Sequence, residues 1–189
     1  MRPISANSIN KIAQTQNYKI AQESEEGVVQ EIITPETQTG ITAGGDGLDH
    51  LQLILGILRA QYLSYQTSHW QTKGDPAYGN HLLFQRLYES VQEQIDSLAE
   101  KLVGLFSTEA VNMPAQVQII QELCGDWCQE EDLHRRGLES ERFLQESLKE
   151  AYDALEEART LTLGLDDWIM ATASEHETNS YLLQQVLGE

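Results

Sequence analysis

The chain is poor in several residue types, and each shortage excludes something. Its 189 residues include only two cysteines, four prolines, three phenylalanines and three tryptophans. Two cysteines, Cys124 and Cys128, cannot build a disulfide framework. On a helix they lie one turn apart, and such a CxxxC pair reads first as core filling. Basic side chains are scarce: 12 Lys and Arg stand against 30 Asp and Glu, for a net charge of −18 and a pI near 4.5. That balance argues against nucleic acid as the main partner, because displacing counterions needs clustered Lys and Arg. It disfavours an anionic membrane surface for the same reason. Multivalent cations are favoured as partners, but on composition alone an ordinary solvated acidic surface is the better reading. No run of about 18 apolar residues is present, so no membrane span is expected. The N-terminal stretch MRPISANSINKIAQTQNYK has no apolar h-region, so the expectation is a cytoplasmic, reducing setting without a secretory signal. HExxH, P-loop, GxGxxG and GxSxG patterns are all missing, which removes the chemistries that depend on them.

What is present suffices for a core. Hydrophobic residues make up 40 % of the chain, and the length suits one domain with or without a tail. Residues 1–47 read as a flexible or extended N-terminal tail, rich in Gln, Asn, Ser, Thr and Glu, with Tyr18 as their one aromatic. Residues 1–20 carry Arg2, Lys11 and Lys19 and no acid, the one faint hint of a DNA-binding arm. The stretch Gly27-Val-Val-Gln-Glu-Ile-Ile33 could pair as a strand with a partner.

From Leu48 to Glu189 the pattern is helical, and we expect a single bundle there. The first helix, about 48–72, places Leu51, Ile54, Leu55, Leu58, Tyr62 and Tyr65 on one face, with Asp46 or Gly47 as its cap. Lys73-Gly74 is a stop signal, and Asp75-Pro76 a restart with Asp as N-cap. The second helix, about 76–106, carries Phe84, Leu87, Tyr88, Val91, Ile95, Leu98, Leu102 and Leu105. Met113-Pro114 opens a short helix to about Leu123. A third long helix spans about 126–159, with Trp127, Leu133, Leu138, Phe143, Leu144, Leu148, Tyr152 and Leu155 inward. Its charged residues Glu139, Glu141, Arg142, Glu146, Lys149 and Glu150 read as a solvated face. Gly164 marks a turn, and the last helix, about 165–187, carries Trp168, Ile169, Ala173, His176, Tyr181, Leu182 and Val186. Four long helices with one long middle connection predict an all-α, ferritin-like four-helix bundle with a short helix in that connection.

The remaining chemistry is acidic and imidazole. Glu89, Glu93, Asp96 and Glu100 are spaced 4, 3 and 4 residues apart and share one helical stripe, either a wet outer face or a cation site. Carboxylates suit Mg, Ca, Mn or iron, and added imidazole tilts the choice toward iron or zinc. His69 lies near the end of the first helix and His81 in the second turn of the next, so a hairpin brings both to one end. His81 and Asp96 are fifteen residues apart on one helix, about 22 Å. Either the two groups are unrelated, or a site forms between subunits related by a two-fold axis. Glu131 and His134 form a lone ExxH; a di-iron site within one subunit needs a second, which is missing.

The segments His69-Trp70-Gln-Thr-Lys73-Gly74, His81-Leu-Leu-Phe84, Leu87-Tyr88-Glu89 and Asp96-Ser-Leu-Ala99-Glu100 resemble the Dps-like miniferritins in both residue types and long-range spacing. The likeness covers about 48–106 well, the last helix more loosely, 113–160 in pattern only, and the tail not at all. It implies a hollow dodecamer with ferroxidase sites at two-fold interfaces. His69 and His81 would ligate iron from one subunit, and Asp96 and Glu100 from its neighbour. Trp70 would lie nearby to quench radicals, with Gln85, Glu89 and Glu93 as possible auxiliary residues. Iron would be the metal handled, with zinc or manganese as alternatives, and hydrogen peroxide the preferred oxidant.

The chain departs from that pattern in places. Gln85 stands one turn after His81, where many members place a carboxylate, and a neutral amide holds a second iron more weakly. The tail has few of the several lysines that DNA-binding members usually carry, and twelve copies at −18 each carry roughly −216, which repels DNA. Asp166 and Asp167, at the start of the last helix, are either helix-start acids or the lining of an iron pore. The preferred reading is therefore a homo-oligomeric ferroxidase that stores ferric iron. Its rival is a catalytically weak structural relative whose tail tethers it to an unknown partner, such as a viral or cellular shell.

Overall fold

A computed structural model describes residues 47–189, and the tail expectations for residues 1–46 lie outside it. Five α-helices follow one another: α1 Leu48–Gln71, α2 Ala77–Leu105, α3 Met113–Trp127, α4 Leu133–Ala158 and α5 Leu163–Leu187. One 3-10 turn, Thr108–Val111, lies between α2 and α3. The four long helices α1, α2, α4 and α5 form the bundle, and the shorter α3 sits in the middle connection against α1. No strand is found among the described residues. The expected fold class is therefore the observed one.

Sequence signals explain most of the joints. Gly74 adopts a left-handed φ of 76°, which any side chain would resist, and this lets α1 reverse into α2. The Asn112 side chain accepts a hydrogen bond from the Ala115 N–H, and Pro114 fits the first turn of α3, where no N–H is needed. The Asp132 side chain accepts from the His134 and Arg135 N–H groups and starts α4. Thr162 caps α5 in the same way through the Leu165 N–H.

Several boundaries differ from the sequence expectation. The short helix runs on to Trp127, and the third long helix begins at Leu133, because Asp132 captures the free N–H groups there. The turn before α5 is made by Arg159 in a left-handed conformation (φ 59°), so Gly164 lies inside the helix. Asp75 provides no side-chain cap; Pro76 occupies that position. Leu105, Tyr181 and Val186 are exposed on this chain, although their spacing suggested core.

Helix α1 is the axis of the fold. Leu51, Leu53, Ile54, Leu55, Ile57, Leu58 and Ala60 are all buried, so it is apolar almost all round. It needs that composition because α2, α3 and α4 all pack on it. Gly56 is where α3 comes closest: a Cβ there would sit 2.6–2.8 Å from Ile119 side-chain carbons. Gly56→Ala should therefore destabilise the protein by about 1–3 kcal/mol, the range for overpacking a core, despite alanine's better helix propensity. Thermal unfolding of the variant beside wild type measures this. An unchanged or raised midpoint would show that the α1–α3 contact yields freely.

Candidate metal centre

The α1–α2 hairpin sets two histidines ring on ring. His69 is in the last turn of α1, and His81 is in the second turn of α2. Their rings stack with centroids 3.6 Å apart and planes 22° from parallel. The Nδ1 atom of His69 meets the His81 carbonyl at 2.9 Å, and that of His81 meets the His69 carbonyl at 3.0 Å. A carbonyl only accepts, so each Nδ1 donates, and in the neutral ring the lone pair is left on Nε2. Tyr88 closes one side, its ring edge-on to His69 at 5.4 Å. His69 is buried, His81 is half-buried and Trp70 is 68 % exposed. Such an arrangement is suited to holding a cation: orientation is fixed by backbone acceptors, and two imidazole lone pairs stay unspent.

The carboxylates do not join these rings within one chain. Glu89, Glu93, Asp96 and Glu100 are all exposed along α2, which is continuous from Ala77 to Leu105. The rise of that helix keeps Asp96 about 22 Å from His81. Gln85 donates its amide N–H to Glu89 Oε1 at 2.8 Å, which turns its carbonyl oxygen away from Glu89. Among the described residues, no group of three or more His, Cys, Asp or Glu side chains is placed to hold a metal ion.

The other sequence candidates are scattered. Glu131 precedes α4 and is exposed, whereas His134 sits in the first turn of α4 with its ring 5.2 Å from that of Phe84. Burial holds the His134 imidazole below its ordinary pKa, only partly offset by Asp132. Cys124 and Cys128 are free thiols, one half-buried and one exposed, and burial pushes the Cys124 thiol up. Asp166 lies in the first turn of α5, but Thr162 supplies the cap.

One polar cluster escaped the sequence reading. The charge pattern places Glu141 on the solvated face of the third long helix, yet it is fully buried, and so is His176. The two are hydrogen-bonded as a pair, through His176 Nδ1 and Glu141 Oε2. Tyr65 donates to Glu141 Oε1 at 2.6 Å. His176 Nε2 faces Gln94 Oε1 at 2.8 Å, and Gln94 in turn donates to Glu175 Oε2 at 2.9 Å. Ser90 donates to the other Glu175 oxygen. Both ring nitrogens of His176 thus face oxygen atoms, one of the Glu141 carboxylate and one of the Gln94 amide. Burial, with the Glu141 charge added, pushes the Tyr65 phenol well above its ordinary pKa. The signal was there to read: Gly137, Leu138, Glu141, Leu144 and Leu148 follow the 3–4 spacing of one buried face.

No protein-family model matches the chain. A curated relative, general stress protein 20U of Bacillus subtilis (strain 168), is 26 % identical over 129 residues, covering 67 % of this chain and 87 % of the relative. The solved structure of Dps from Thermosynechococcus elongatus matches with a TM-score of 0.63 at 18 % identity, covering 76 % of this chain and 90 % of that one. Dps from Microbacterium arborescens, solved in a high iron form, matches at 0.63 and 16 % identity, covering 79 % of this chain and all of that one. The chain therefore has the ferritin-like four-helix bundle in its Dps-like form.

Proposed function

We propose that this chain binds Fe(II) as a substrate, oxidises it with hydrogen peroxide and stores the ferric product inside a homo-oligomer. The observation that carries this reading is the reciprocal clamp of His69 and His81, which fixes both rings and leaves both Nε2 lone pairs unspent. Two imidazoles make an incomplete ligand set for iron, and the exposed Asp96 and Glu100 of a second copy supply the hard oxygen donors. Carboxylates stabilise the ferric state more than the ferrous one, so the mixed donor set favours loss of the electron to peroxide. The bound iron carries the redox chemistry, and the side chains position it. A dodecameric shell is the assembly that the resemblance to the Dps-like miniferritins implies. The neutral Gln85 makes any second iron position beside His81 the weaker one.

Anaerobic Fe(II) addition followed by peroxide tests this. Wild-type protein should develop ferric absorbance, and His69→Ala/His81→Ala should slow it by roughly a hundredfold. Such a loss lies at the top of the 10–100-fold range seen when a residue that only orients a ligand is removed. Equal rates in the two proteins would refute the site. No ferric product from wild type would instead favour the rival reading of a structural relative tethered through residues 1–47.

A further inference from the structure

We propose that Tyr65 is a redox-active phenol, a one-electron donor inside the bundle whose proton passes to Glu141 when it is oxidised. Taking an electron from a phenol makes its O–H strongly acidic. A positively charged radical cannot stay in an apolar core, where an unpaired charge is heavily penalised. Oxidation of a buried tyrosine therefore requires an acceptor already in hydrogen-bond contact. Glu141 Oε1 is that acceptor, 2.6 Å from the phenol oxygen. Among the described tyrosines only Tyr65 donates to a carboxylate. Tyr62, by contrast, accepts from the Gln66 amide, and Tyr78 and Tyr181 are exposed to solvent. His176 holds Glu141 from the other side, and Gln94, Glu175 and Ser90 extend the hydrogen-bonded chain to the surface of α2 and α5.

The step balances as follows in atoms and electrons. The Tyr65 O–H bond breaks, the proton bonds to Glu141 Oε1, and one electron leaves, giving a neutral phenoxyl radical and a neutral carboxylic acid. The electron goes to a one-electron oxidant of the hydroxyl-radical class, which takes up a solvent proton and becomes water. Fe(II) with peroxide generates that class of oxidant, and Tyr65 stands four residues, about 6 Å along α1, from His69. The high resting pKa of Tyr65 means that the donor is the protonated phenol and not a phenolate. The cellular source of the oxidant rests on the iron reading above; the competence of the phenol does not.

The test therefore uses the full chain freed of metal by chelation, with photogenerated ruthenium(III) tris-bipyridine as oxidant. Electron paramagnetic resonance should show a long-lived phenoxyl radical in wild type. Tyr65→Phe should remove at least roughly nine-tenths of it, whereas Tyr181→Phe leaves it intact. Glu141→Gln should lower the yield roughly tenfold or more, the scale on which hydrogen bonds to charged acceptors operate. A long-lived signal that survives Tyr65→Phe overturns the proposal. So does a Tyr65 radical whose yield ignores Glu141→Gln. If that variant does not fold, as judged by circular dichroism, wild-type protein equilibrated in deuterated solvent decides. Radical formation slowed by deuterium supports the coupled proton step, and an unchanged rate overturns it.

Discussion

Mixing two inactive variants should restore activity. The variant His69→Ala/His81→Ala keeps its carboxylates, and Asp96→Ala/Glu100→Ala keeps its histidines. If each site takes histidines from one copy and carboxylates from the other, neither variant alone can complete one. In a mixed two-fold dimer the two intact halves meet on one side and the two damaged halves on the other. Random pairing makes half the dimers mixed, and each then carries one good site of two. Co-assembled protein should therefore recover about a quarter of the wild-type rate per subunit, from a baseline near zero. The initial rise in ferric absorbance measures it, with mixing verified by mass spectrometry of the intact assembly. A verified mixture without recovery would remove Asp96 and Glu100 from the site. Full activity of Asp96→Ala/Glu100→Ala alone would do the same. The test is sharp because α2 runs unbroken between His81 and Asp96, so no bend within one chain can bring them together.

The bundle was legible because its information is local and periodic. Leu51, Ile54, Leu55 and Leu58 announce α1, and Phe84, Leu87, Val91, Leu98 and Leu102 announce α2. Gly74 announces the reversal between them, since only a residue without a side chain takes its conformation freely. That reversal is also why the meeting of His69 and His81 could be foreseen. Their reciprocal hydrogen bonds could not, because they depend on ring rotation and on carbonyls in the last turn of one helix and the second turn of the next. The missed boundaries share a cause. Asp132 and Thr162 compete as caps with nearby Gly and Asp residues, and a single sequence does not rank them. Leu105, Tyr181 and Val186 follow an inward spacing near helix ends, where no helix among the described residues covers them. Glu141 was misread for a different reason. Charge outweighed position, although position 141 lies on the buried face with Leu138 and Leu144.

That buried charge carries the second large prediction. Glu141→Ala should destabilise the protein by about 3–5 kcal/mol, because it removes the carboxylate partner of the buried His176 and the shortest hydrogen bond of the buried Tyr65 hydroxyl. For a chain of this length the unfolding midpoint should fall by roughly 6–20 °C, compared at one protein concentration because assembly also stabilises. Replacing both partners should cost less than replacing Glu141 alone. In Glu141→Met/His176→Leu no charge is left unpaired, and apolar atoms fill the space. Tyr65 keeps Ser140 at 3.0 Å, and Gln94 keeps Glu175, so neither loses every partner. The two substitutions should then be strongly non-additive, with a coupling in the range of about 0.5–3 kcal/mol found for residues in contact. A loss under about 1 kcal/mol for Glu141→Ala would match a typical surface residue and contradict the pairing. Strict additivity would mean that Glu141 and His176 are held independently, each by its outer partners. The non-additive outcome is the one that makes the pair a single unit spanning α4 and α5, with Tyr65 of α1 and Gln94 of α2 as its two ends.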